Sequence, residues 1–195
     1  GKAKLNSSTG NVNTGNVTAN NDVDIDAANN ITASGNLTST NANVDLKANG
    51  GSITTNGTVT AHDDVIANAN GDINTNDDVT STNANVDLNA GGSVTTKNVT
   101  AGQAVDIDAA QDITANGNLT STNANVDLNA GGSITTGGEV KAQQNVDYNA
   151  KGSITTKGII NSTAGNINLQ TDAAQGDITF GGNVTAEHGN ISIDV

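Results

Sequence analysis

The chain has 195 residues, of which only 33% are hydrophobic; it contains one Tyr and one Phe, no Trp or Met, and carries a formal charge of −13. Aromatic side chains normally supply much of a globular core, so such a core is excluded and Val, Ile, Leu and Ala must provide the buried area. Seven Lys and no Arg cannot assemble a phosphate-binding stripe, which excludes nucleic acid and anionic membranes as partners.

Low hydrophobicity with high net charge is the composition of a disordered chain. Two features oppose that reading: Pro is absent, and the apolar residues recur at fixed intervals. Cys is absent too, so neither disulfides nor thiolate metal sites contribute. No apolar run approaches the ~18 residues of a membrane span, and no signal peptide is visible. The sequence begins and ends in mid-pattern, as expected of a segment of a longer array.

From Gly1 to Thr14 the pattern is partial. Full units then start near Gly15, Gly35, Gly57, Asp77, Asn98, Gly117, Gly138 and Gly158, and a truncated unit covers residues 182–195. The octapeptide STNANVDL occurs three times, at Ser39–Leu46, Ser81–Leu88 and Ser121–Leu128. A period of about 20 residues is the signature of a solenoid. We therefore expect one repeat array over residues 1–195, with eight full turns between residues 15 and 181.

Each unit carries three short segments: G-N-V/L-T, N-V-D-L/I and G-S/D-I/V-T. Apolar and polar residues alternate within each, the pattern of a strand with one buried face. β-Branched residues, Asn, Asp and Gly dominate, and no helical periodicity competes. The fold class expected is all-β, a right-handed parallel β-helix with three strands per turn and about nine turns.

The register predicts four stacked inward columns. The first segment gives Val17, Leu37, Val59, Val79, Val99, Leu119, Val140, Ile160 and Val184. The second gives Val23, Val44, Val65, Val86, Val105, Val126, Val146, Ile167 and Ile191, and two residues on Ile25, Leu46, Ala67, Leu88, Ile107, Leu128, Tyr148, Leu169 and Ile193. The third gives Ile31, Ile53, Ile73, Val94, Ile113, Ile134, Ile154 and Ile178. Gly, Asn and Asp mark the corners, where positive φ is expected, as at the AGGS runs. Gln170–Gly176 is the longest insertion and is expected to protrude. Tyr148 and Phe180, in neighbouring units, are expected to pack together or to leave one ring exposed.

Runs such as GNLTSTNANVDLNAGGSITT and GNVTANNDVDIDAANNITAS resemble the repeats of filamentous-haemagglutinin-like exoproteins, the large adhesins and contact-dependent inhibition proteins of two-partner secretion. The resemblance covers nearly the whole chain, although the family's secretion-domain signature is not found. It implies export across an outer membrane and display at the bacterial cell surface as a long fibre.

Outward positions form ladders. Thr18, Thr38, Thr60, Thr80, Thr100 and Thr120 make one column, broken by Lys141 and Asn161; Thr32, Thr54, Thr95, Thr114, Thr135, Thr155 and Thr179 make another. Thr suits an exposed strand surface. An ice-binding plane, built on triplets such as Asn36-Thr38-Thr40, is interrupted at Gly102 and Lys141. Ten N-x-S/T sequons, among them Asn16, Asn36, Asn98, Asn118 and Asn183, follow from the repeat itself.

Asp24, Asp45, Asp87, Asp106, Asp127 and Asp147 form an acidic column with Ile66 interrupting, and Asp26 and Asp108 add carboxylates on the same face. Stacked like charges repel unless screened or bridged. The leading reading is a solvated face that keeps the rod soluble; weak calcium binding by these eight aspartates is the alternative. The calcium-binding nonapeptide and the EF-hand loop are both absent. No other cofactor is expected.

Enzymatic β-helices need clustered carboxylates in a groove with basic residues nearby. Here there are two Glu (Glu139, Glu187), and His62 and His188 lie on different turns. Asp63-Asp64 and Asp77-Asp78 are adjacent pairs whose side chains diverge on a strand, so no enzyme is expected. The expected function is structural: a stalk of a secreted or surface-displayed adhesin. The alternatives are a filament subunit pairing end to end with identical chains, and a module that binds a glycan or ice through Thr/Asn ladders. The breaks at Ile66, Ala67, Lys141, Tyr148 and Gln170–Gly176 are the places to look for recognition.

Overall fold

The computed structural model describes every residue except Ala173 and Gln175. Among the described residues it is a parallel β-solenoid of 28 short strands with about nine turns, and none of them is helical. Three sheets run its length. Sheet A holds ten strands, from Ala3–Ser7 to Ile191–Asp194; sheet B holds nine, from Val12–Thr14 to Ile178–Phe180; sheet C holds nine, from Val17–Ala19 to Val184–Ala186. Each strand but the first and last of its sheet pairs in parallel with its equivalents one turn below and one turn above, for example Val105↔Val126 in sheet A and Ile113↔Ile134 in sheet B.

All four apolar columns stack in the predicted order. Through the middle turns the first residue of each sheet C strand, the first and third of each sheet A strand and the first of each sheet B strand are buried; at the C-terminal end, where no further turn covers them, Ile191 and Ile193 are exposed and Ile178 and Val184 only partly covered. The initial partial turn extends them with Ala3 and Leu5 in sheet A and Val12 in sheet B. Ala67, although small, is buried in its column between Leu46 and Leu88. At ~25 cal/mol per Å² of apolar surface removed from water, these stacks are the main source of stability.

Two further inward columns are polar. The third residue of sheet B reads Thr55, Thr75, Thr96, Ala115, Thr136 and Thr156 through the centre, and these threonines are buried without a hydrogen-bond partner for Oγ1. The third residue of sheet C alternates without exception: Ala19, Ser39, Ala61, Ser81, Ala101, Ser121, Ala142, Ser162, Ala186. Corner length follows that alternation. Up to Ala142, an Ala leads back to sheet A in three residues, as from Ala19 to Val23, whereas each Ser takes four, as from Ser39 to Val44.

The serine is what closes the longer corner. Ser121 Oγ donates to the Gln103 carbonyl of the turn below at 2.6 Å and accepts from the Ala124 amide at 3.1 Å. Ser39, Ser81 and Ser162 do the same with Asn21, Asp63 and Gln144. One side chain thereby satisfies a donor and an acceptor that the extra residue pulls out of the ladder. The physical period of the chain is therefore a pair of turns.

The corners also correct the expected role of glycine. No described residue, glycine or other, has positive φ. Close approach of successive turns is the reason instead: a Cβ on Gly137 would lie 2.8 Å from the Asn116 carbonyl oxygen of the turn below. The inserted segment connects Thr171 of sheet A to Ile178 of sheet B. Within it the Gly176 amide donates to the Asp172 carbonyl at 3.1 Å, while Ala173 and Gln175 lie outside the described residues.

Tyr148 and Phe180 do not pack together. Tyr148 is 2% exposed in sheet A, between Leu128 and Leu169, whereas Phe180 is 37% exposed at the last strand of sheet B, in register with Thr156. Burial raises the Tyr148 hydroxyl well above the usual phenol range.

Candidate functional site

The residue that precedes each strand explains the abundance of Asn, Asp and Ser at the corners. On most turns its side-chain oxygen accepts the amide of the equivalent residue one turn above, with Ala104 and Ile159 among the exceptions. At the entrance to sheet B this ladder is unbroken: Asn11 accepts from Asn30 at 3.1 Å, Asn30 from Ser52 at 2.8 Å, Ser52 from Asp72 at 3.0 Å and Asp72 from Ser93 at 2.8 Å. It continues through Asp112, Ser133 and Ser153 to Asp177. Asn125, Asn145, Asn166 and Asn190 repeat it before sheet A, and Asn98, Asn118 and Glu139 before sheet C.

Several residues singled out from the sequence are absorbed by these ladders. The sequon asparagines Asn16, Asn36, Asn98 and Asn118 each use Oδ1 to hold the next turn. Asp64 accepts the Asn85 amide at 2.9 Å, and Asp78 accepts the Asn98 carboxamide at 2.9 Å. Asn36 and Thr40 both lie outside the three-residue strand Leu37–Ser39, and Thr40 Oγ1 donates to Asn20 Oδ1 at 3.2 Å. The triplet Asn36-Thr38-Thr40 is thus not one flat row of free groups. His62 is exposed and its Nδ1 meets Asp63 Oδ1 at 2.9 Å, while Asn83 reaches the same ring.

The aspartate column is drawn together as read. Asp24 and Asp45 are paired in register, and Asp87, Asp106, Asp127 and Asp147 follow on consecutive turns beyond Ile66, with Asn168 next. Asp26 pairs with Lys47, and Asp108 stands between Asn89 and Asn129 two residues on. The two halves differ in counter-charge. Lys2 lies 3.3 Å from Asp24 and 3.6 Å from Asp22, and Lys4 lies 3.6 Å from Asp24. No Lys occupies an outward position on the strands that carry Asp87, Asp106, Asp127 and Asp147.

Half-burial against the sheet raises Asp87, Asp106 and Asp45 above the ordinary carboxylate range, with neighbouring carboxylates adding to it. Asp127 is pushed up to about 6, first by desolvation and then by Asp147. The carboxylates run in a line along the rod. Among the described residues no group of three or more His, Cys, Asp or Glu converges as a metal site would.

Sequence reasoning missed one surface feature. Along the edge of sheet A the outward residues Lys47, Asn68, Asn89, Asp108, Asn129 and Asn149, with the corner residues after them, line consecutive shallow clefts, the largest of about 510 Å³. Its signal was the fourth residue of the V-D-x-N-A strand, a carboxamide on most turns.

A three-sheet parallel solenoid with a coil of about 20 residues, aliphatic columns and polar corner ladders defines a class of repetitive rod proteins. Residues 1–44 and 121–192, more than half of the chain, match the haemagglutinin repeat family, and the chain belongs to that family. No curated protein and no solved structure matches it.

Proposed function

We propose that the chain is a structural stalk segment of a secreted, surface-displayed bacterial adhesin. The observation that carries this reading is the uninterrupted ten-strand ladder of sheet A, reinforced at the corner before sheet B by a side-chain ladder that skips no turn. Such a rod advances ~4.8 Å per turn; its work is reach and rigidity, and it needs neither metal nor disulfide. Membership of the haemagglutinin repeat family supports the extracellular setting and a non-enzymatic role. Negative-stain electron microscopy of longer arrays tests it: straight rods whose length grows with turn number are expected, and flexible or globular particles would refute it.

A second reading concerns the clefts of sheet A, whose Asn68, Asn89, Asn129 and Asn149, interrupted by Asp108, would offer carboxamides to an extended glycan. A glycan array with the wild-type chain and an Asn89→Ala/Asn129→Ala variant separates the two. Binding lost in the variant favours the module, and no binding by either leaves the stalk.

A further inference from the structure

We propose that Asp87, Asp106, Asp127 and Asp147 form a proton-sharing ladder that stabilises the solenoid in acid and loosens it toward neutral pH. The ladder is geometric in origin. Parallel in-register pairing places these four side chains one above another on consecutive turns, on the outer face of sheet A. Around Asp127 the facing groups are Asp106 on the strand below, Asp147 on the strand above and the Asn125 carboxamide at the corner, and Asp147 in turn accepts the Asn168 carboxamide. Around Asp106 they are Asp87 and Asp108, with Asp64 further along beside Asp87. Every charged group in that set is acidic.

The N-terminal end of the same column is built differently, since Lys2 and Lys4 meet Asp24 and Lys47 stands beside Asp45. On the central turns, by contrast, an oxygen of Asp106 is buried without a partner. Two carboxyls in contact are relieved when one takes a proton, because the pair then has a donor for an acceptor and one charge fewer.

The direction of the pH effect follows from linkage. Asp127, held at about 6, binds more protons in the folded chain than an ordinary Asp at ~3.9 does in the unfolded one. Stability from this group is complete below the unfolded value and is lost as pH climbs through the folded value. Reduced self-repulsion of a chain of charge −13 acts in the same direction.

The test uses the full chain in thermal melts at pH 4.5 and 7.5 and equal ionic strength. The wild type is expected to melt at least about 3 °C higher at pH 4.5. Asp106→Asn/Asp127→Asn should lose half or more of that difference, chiefly by melting higher at pH 7.5. Asn129→Lys, an exposed change that places a cation two residues from Asp127 and in register with Asp108, should shrink the difference by half or more while keeping all four carboxylates. A wild type that melts no higher in acid, or variants that keep more than half of the difference, would overturn the ladder. So would a carboxyl NMR titration placing the Asp127 midpoint in the ordinary carboxylate range.

Discussion

Ser121 Oγ and the Gln103 carbonyl oxygen, 2.6 Å apart, join two consecutive turns at a corner one residue longer than the corner below it. The same hydroxyl takes the Ala124 amide at 3.1 Å, so a single oxygen closes the corner. Ser121→Ala leaves both backbone groups without that partner. We expect a loss of about 1–2 kcal/mol in urea or thermal unfolding. Ala101→Ser, at the shorter corner, places a hydroxyl where no extra residue frees a partner for it, and should destabilise as well. If Ser121→Ala is neutral, the corner is closed by something else.

The threonines inside sheet B make the opposite prediction. Thr96 is 1% exposed and its Oγ1 has no partner. Val has the same shape without the hydroxyl to desolvate, so Thr96→Val should stabilise the chain by about 0.5–1 kcal/mol. A drop in Tm for this variant would show that the hydroxyl is satisfied in solution.

Asn145 accepts the Asn166 amide at 2.8 Å, and its own amide is held by Asn125 at 3.0 Å. Asn145→Ala removes one rung of the corner ladder and should cost about 0.5–1.5 kcal/mol. Hydrogen exchange should quicken at Asn166 and leave the Asn145 amide protected. Uniform quickening along the rod would contradict a local rung.

The carboxylates of sheet A are strung in a line, and no metal dependence is expected of them. Thermal melts with millimolar calcium and with chelator should coincide. A concentration-dependent rise in Tm with calcium that is lost in Asp106→Asn/Asp127→Asn would place a cation on this column.

Much of this architecture was legible in the residues. The Val, Ile and Leu columns could be assigned because a period of 2 within each strand and a period near 20 between turns leave a single register that buries the apolar columns. The polar interior was not legible. Thr and Ser inside sheets B and C look like exposed residues by type, and only the match between Ser and corner length, visible from Ser39 through Ser162, marks them as internal. The corner glycines were misread, since a short Gly-rich turn signals positive φ while the structure uses Gly for the close approach of turns. The aspartate column was read in full, but the division of its counter-charge between Lys2, Lys4 and Lys47 on one side and none on the other needed the register.

Parallel in-register pairing from turn to turn implies one step of ~4.8 Å for each coil of about 20 residues. Outward residues of sheet C, in register from Thr18 to Thr185, offer a ruler, and the absence of Cys permits clean labelling. Double electron–electron resonance on Cys pairs at Thr38 and Thr120, and at Thr18 and Thr185, measures four and eight steps. At ~4.8 Å per step the expected backbone separations are about 19 and 38 Å, linear in turn number. Distances that fail to double between the two pairs, or that broaden into a chain-like distribution, would contradict it.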